Sequence, residues 1–170
     1  MLVDTLNKSA RRVPTWLIYI VLIIPACLFL YLGLTGGLGA EPIKALEHEL
    51  GEFALKLLIL GLAITPLRKH LGINLLKFRR AVGIMTFVYV ALHLLVWLVL
   101  DVQIISQIWA DILKRPYITV GMAGFALMVP LVVTSNNLSV RKLGPRWRKL
   151  HKLTYGAAIL GGLHFIMLSK

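Results

Sequence analysis

The stretch FRRAVGIMTFVYVALHLLVWLVLD, residues 78–101, has two arginines after Phe78, runs through 20 residues without a formal charge, and closes on an aspartate. Twenty helical residues rise about 30 Å, the thickness of the hydrocarbon layer of a bilayer. A run this apolar on every face has no polar stripe to turn toward water, so it reads as a membrane span. Its one histidine is His93.

Four further apolar runs lie on either side, at 15–34, 48–65, 117–134 and 150–168. The whole chain is 58% hydrophobic with a mean hydropathy of +0.81, more apolar than a soluble domain can bury. The fold expected is therefore all-α, a polytopic membrane helix bundle of about five spans forming a single domain over residues 1–170. The run at 15–34 follows Lys8, Arg11 and Arg12 but is too long for the core of a cleaved signal peptide, so it is read as a retained span. Pro66 is expected to close the second span, Pro130 to kink the fourth, and Gly156 or Gly161 to bend the fifth. Residues 102–115 mix isoleucines and Trp109 with Gln103, Gln107 and Asp111, the composition of a short interfacial helix. No internal repeat and no soluble domain is evident.

The net charge of +12 sits in the loops rather than on a soluble basic face, which excludes a nucleic-acid-binding domain. Fourteen of the 19 cations fall in the amino-terminal segment and the loops around residues 68–80 and 141–152. Lys44, Lys114, Arg115 and Lys170 fall on the other side, and Lys56 lies inside the second span. Cytoplasmic loops retain lysine and arginine, so the amino terminus is expected in the cytoplasm, with the fifth span ending outside. Cys27 is the only cysteine, which excludes a disulfide framework and a thiolate metal cluster. Any metal must lean on histidine.

Ionisable side chains within spans are costly and mark sites. His93 stands thirteen residues after Arg80, and His164 thirteen after His151, on spans that run in the same direction. Thirteen residues rise about 20 Å, so His93 and His164 share a depth near the outer face. His151 is level with Arg79 and Arg80 at the cytoplasmic mouth. Two facing neutral imidazoles can take both axial positions of a haem iron, and Gly83, Gly156, Ala157, Gly161 and Gly162 leave room for a porphyrin. The plainer alternative is that these small residues serve only close helix packing. On a straight helix His151 and His164 are about 140° apart, whereas Arg79 and His93 differ by only about 40° and share a face. Arg79 is then either a partner for a cofactor's anionic group or a positive-inside anchor, and His151 either a second ligand or a surface histidine. His48 and His70 are read as structural or solvent-facing, with His48 a weak outer-surface candidate, and Trp97, Trp109 and Trp147 as interface anchors.

No Ser/His/Asp constellation, P-loop, paired-histidine metalloprotease helix or dinucleotide-binding turn is present. Such a chain carries electrons and leaves substrate chemistry to a partner. Two other functions stand beside this one: a di-haem quinol-oxidising cytochrome serving another partner, and a haem-free membrane anchor or transporter.

The motifs GGLGAEP (36–42), ITPLRKH (64–70), FRRAVGIMTFVYVALH (78–93), KRPYITVG (114–121) and LGPRWRKLHKLTYGAAILGGLHF (143–165) resemble, in order and spacing, the ferric-reductase-like transmembrane family. The resemblance runs from about Gly36 to Leu168. It implies haem b held by His93 and His164, with His151 and Arg79 as further cofactor-binding positions and His151 as the ligand of a possible second haem iron. It implies, too, a possible FMN and electrons from quinol or a cytoplasmic flavin reductase. The partner implied is a periplasmic molybdenum-containing methionine sulfoxide reductase subunit that repairs oxidised proteins. Family members carry a sixth span, whereas here the sequence ends at Lys170. The expectation is that haem ligation survives this difference while the flavin assignment weakens.

Overall fold

The structure, a computed structural model, describes residues 2–168, and among these the regular elements are all helical. They are α1 (Leu2–Arg12), α2 (Thr15–Leu34), α3 (Pro42–Leu71), α4 (Arg79–Val96), α5 (Ile105–Lys114), α6 (Pro116–Val133), α7 (Asn137–Leu143), α8 (Pro145–Leu150) and α9 (Leu153–Leu168). Four helical stretches are long and apolar enough to cross a membrane: α2, α3, the run Leu76–Val102 that contains α4, and α6. The fifth expected span is α9, of 16 residues, and Lys170 lies outside the described residues.

Several boundaries differ from expectation for local reasons. Pro66 does not end α3, which continues to Leu71 and is 30 residues long. A proline costs its helix one carbonyl partner, and membrane helices tolerate this. The stop is instead Gly72, left-handed at φ 70°, whose N–H caps the Leu67 carbonyl. Pro130 sits three residues before the end of α6, too close to the terminus to divide it. The expected interfacial helix is α5, with Ile105, Trp109 and Leu113 exposed along one side and Asp111 turned inward. Helix α1 was not expected. Asn7 ties it to the turn after α3, donating to the Gly72 carbonyl and accepting from the Asn74 N–H, and Lys77 caps the carbonyls of Arg11 and Val13.

The interior is built from two close helix pairs, α3 with α4 and α6 with α9, joined where α4 meets α6 and α3 meets α9. Helix α2 lies against the first pair and leaves Trp16, Ile20, Ile24, Leu28 and Tyr31 facing outward. Lipid is as apolar as these side chains, so packing contacts and interhelical hydrogen bonds hold such helices together. Tyr89 supplies both. Fully buried, it packs on Phe53 at 4.6 Å and donates to the Leu22 carbonyl of α2 at 2.7 Å. Tyr89→Phe keeps the ring and removes the bond, and is expected to cost about 0.6 to 1.5 kcal/mol. The measurement is a lower midpoint in detergent-micelle melting.

Candidate functional site

His93 on α4 and His164 on α9 face each other across the junction of the two helix pairs, with ring centres 6.2 Å apart and planes at 79°. The shared depth expected from spacing is present. Each imidazole is fixed in the same way. His93 Nδ1 lies 2.8 Å from the Glu47 carbonyl of α3, and His164 Nδ1 lies 2.7 Å from the Tyr117 carbonyl of α6. A carbonyl only accepts, so both Nδ1 atoms carry the proton and both Nε2 atoms keep their lone pairs. A carbonyl behind each ring is the usual support of a metal-binding histidine.

Glycine makes these contacts possible. Four residues after each accepting carbonyl stands a glycine, Gly51 after Glu47 and Gly121 after Tyr117. A Cβ there would come within 3.0 Å of His93 Nδ1 and 2.8 Å of His164 Nδ1 respectively. The glycines singled out from sequence do less. Gly83 and Gly162 have nothing within 4 Å of such a Cβ, Gly156 abuts Leu127, and Gly161 meets only Leu55 and Leu58. Gly51 and Gly121 were missed, yet a signal existed: they precede their histidines by 42 and 43 residues. Arg79 and His151 precede the same histidines by 14 and 13. The two helix pairs thus carry matched positions where no repeat was evident.

Two ring nitrogens bound on opposite sides of one metal at about 2 Å each would set the ring centres roughly 6 Å apart, which is the spacing found. Two imidazoles are too few to hold a bare ion, which takes three or four protein ligands. Among the described residues no group of three or more histidine, cysteine or acidic side chains is placed to hold one. The donor set suits a metal whose remaining ligands come with it in a flat macrocycle, so the residues fit a haem. The cavity they line measures about 540 Å³, with Leu55, Leu58, Val90, Phe125 and Met128 as apolar walls. Trp97 belongs to this wall, 7% exposed, and is not the interface anchor expected. His48, expected to face solvent, is exposed and also lines this cavity, its ring 6.3 Å from that of Phe165. His70 is exposed in the last turn of α3, as expected.

A second cavity of about 620 Å³ lies toward the other end of α4, lined by Lys77, Arg79, Arg80, Arg148, His151 and Lys152 among others. Arg79 and His93 are 14 residues apart, about 21 Å along the helix. The chain breaks at His151 and Lys152, between α8 and α9, so the turn expected at Gly156 or Gly161 occurs before either. This break, rather than a bend in one continuous span, directs His151 into the cavity. Its ring stacks on Trp147 at 3.9 Å, and Trp147 donates to the Thr134 carbonyl, so Trp147 is a support for His151 and not an anchor. His151 Nε2 lies 3.0 Å from Thr134 Oγ1, whose own proton goes to the Pro130 carbonyl at 2.6 Å. His151 therefore donates from Nε2 and keeps its lone pair on Nδ1, the reverse of the outer pair. Burial, then the nearby Arg79 guanidinium, holds its pKa below the ordinary imidazole value, so the ring is neutral at neutral pH. Arg79 itself reaches Thr65 Oγ1 at 3.4 Å. One neutral imidazole among several cations suits a flat ligand bearing carboxylate or phosphate.

Residues 50–162 match the family described as "Ferric reductase like transmembrane component". The chain is 47% identical over 167 residues to the "Protein-methionine-sulfoxide reductase heme-binding subunit MsrQ" of Agrobacterium fabrum, which covers 98% of this chain and 78% of that one. Proteins of the same name from Brucella anthropi and Brucella ovis are each 50% identical over 156 residues, covering 91% of this chain and 71% of theirs. No solved structure matches the chain.

Proposed function

The chain belongs to the ferric reductase-like transmembrane family and is a multi-pass membrane protein, and from that premise we propose that it is a haem-binding electron-transfer subunit of a methionine sulfoxide reductase system. In this reading, residues 1–170 act as one unit in a bacterial inner membrane with the amino terminus cytoplasmic, as the cation bias supports. Haem b sits between His93 and His164. The observation that supports the reading is the pair of Nδ1-to-carbonyl bonds, which leaves an Nε2 lone pair free on each of two imidazoles whose ring centres are 6.2 Å apart.

Bound there, haem supplies a one-electron carrier. The chain contributes the rest: Glu47 and Tyr117 hold the tautomers, the apolar walls exclude water, and Gly51 and Gly121 let the rings lie against the helices. The inner cavity would take FMN, or a second haem with His151 as its protein ligand. Its cations meet the phosphate of the one or the propionates of the other. Electrons come from quinol or from a cytoplasmic flavin reductase and leave on the outer side. They go to a periplasmic molybdenum-containing methionine sulfoxide reductase, which does the substrate chemistry.

The direct test is spectroscopic. Purified from haem-replete cells, the protein is expected to show a Soret band and an alpha band that sharpens on dithionite reduction. A protein without either band ends this reading and leaves the haem-free anchor.

A further inference from the structure

Lys56 is the cation that the charge pattern strands inside a span. It stands at the middle of α3, 14 residues from Pro42 and 15 from Leu71, and its side chain is 65% exposed. Glu52 lies one turn nearer the outer end, with a carboxylate oxygen 2.8 Å from Lys56 Nζ. His48 lies one turn beyond that, its Nε2 3.9 Å from the other Glu52 oxygen. Three ionisable side chains thus occupy one face of a membrane-spanning helix at intervals of four residues, running from the outer mouth to the hydrocarbon centre. Such groups persist in lipid where they serve a substrate or proton route, because hydrocarbon offers them no hydration.

The row meets the outer cavity. His48 and Glu52 line it, yet their side chains are 55% and 34% exposed, so the cavity wall is open where they stand. Phe165 and Leu168 of α9 form the other side of this opening, with the Phe165 ring stacked near that of His48. Depth fixes what the opening reaches. A Cβ on Gly51 would lie 3.0 Å from His93 Nδ1, so its neighbour Glu52 is level with the imidazole pair. A ligand entering from the hydrocarbon between α3 and α9 therefore arrives beside the site of His93 and His164, meeting an aromatic ring, a carboxylate and an imidazole.

We propose that this lateral opening binds a lipid-soluble hydroquinone, with Glu52 and His48 receiving its two phenolic protons. The inference rests on the electron-transfer reading above, and it adds a site for the membrane-borne donor, separate from the inner mouth that a soluble flavin reductase would approach. Each hydroquinone loses two protons, one to the Glu52 carboxylate and one to the His48 imidazole, and two electrons, and leaves as quinone. A haem held by His93 and His164 would take the electrons one at a time and hand them to the outer acceptor. Lys56 offsets the Glu52 charge in hydrocarbon, and the protons leave by the outer mouth, where Lys44, Asp101 and Arg115 line the cavity. A second copy covering this face would account for Lys56 and Glu52, but not for their continuity with the cavity or their level with the imidazoles.

The test uses the haem-loaded protein in liposomes, with duroquinol as donor and an azido-quinone as photolabel. The label is expected on peptides of α3 and α9 and to be displaced by excess duroquinone. Glu52→Gln and His48→Phe are each expected to slow haem reduction by duroquinol at least tenfold and to lose most of the label, each rate being taken per haem reducible by dithionite in the same sample. Lys56→Met, which leaves Glu52 without its counter-charge, is expected to slow the same step by a smaller factor. Label on peptides around Arg79 or Trp147, or an undiminished rate in Glu52→Gln, overturns the proposal. So does a Lys56→Cys variant that forms disulfide dimers in native membranes and keeps the full duroquinol rate, since the face then belongs to a second copy. Absence of haem from the parent would defeat the electron-transfer reading, while the photolabel would still report whether quinone binds between α3 and α9.

Discussion

Replacing either His93 or His164 with alanine is expected to abolish the low-spin haem spectrum and to reduce electron delivery to the outer partner to background. The reason is the absence of a substitute. Both rings lie within the bundle, and the nearest other imidazole, that of His48, lies on α3 beside Phe165 and at the cavity's open edge. Loss of one ligand would leave a haem with a single imidazole, and the resulting change of spin state is read by absorption and electron paramagnetic resonance. The two variants should also resemble each other, since each histidine has the same kind of carbonyl partner at nearly the same distance. His70→Ala is the control: that ring is exposed at the end of α3, and its removal should leave the spectrum unchanged. A His93→Ala protein with the parent's spectrum would remove the central assignment.

The second large effect is expected from one added methyl group. A Cβ at Gly121 would stand 2.8 Å from His164 Nδ1, 3.0 Å from Cε1 and 3.3 Å from Cγ, so the whole ring must retreat and its bond to the Tyr117 carbonyl must stretch. At Gly51 the corresponding distances to His93 are 3.0, 3.2 and 3.7 Å, and a smaller movement suffices. Disturbing the group that orients a metal-binding histidine typically costs about 10- to 100-fold in affinity. Gly121→Ala is therefore expected to retain haem at least tenfold more weakly, and Gly51→Ala to show a milder loss. Helix propensity acts in the opposite direction, since alanine is favoured over glycine by about 1 kcal/mol within a helix. Gly162→Ala separates the two effects, because nothing lies within 4 Å of the added atom. Haem retention after detergent dilution, read from the Soret band, gives the order, and equal retention in all three variants would show that the glycines do not set the rings.

Much of the architecture was legible because its signals are long. Twenty uncharged residues between Arg80 and Asp101 admit few readings, and the rise per residue was enough to bring His93 and His164 to one depth. Short-range features were harder. The break at His151 and Lys152 carries no glycine or proline of its own, so an unbroken helix put His151 at the wrong angle. Gly51 and Gly121 resemble the other glycines of an apolar helix until the imidazole from the neighbouring helix is in position. Pro66 misled because its rule is calibrated on helices in water. Trp97 and Trp147 sit near span ends, where tryptophan commonly marks the bilayer surface, and only tertiary contacts assign one to a cavity wall and the other to the face of His151.

The matched histidine supports bear on how the molecule comes into being. His93 is fixed by the helix before it in sequence, α3, and His164 by α6, again the preceding helix of its own pair. Neither contact crosses from one pair to the other. As the chain leaves the ribosome and enters the bilayer, the amino-terminal pair can therefore finish its half of the site while the carboxy-terminal pair is still unmade. A cofactor held by His93 and His164 would then be received between two completed jaws, and would not be needed as a template around which four helices must gather.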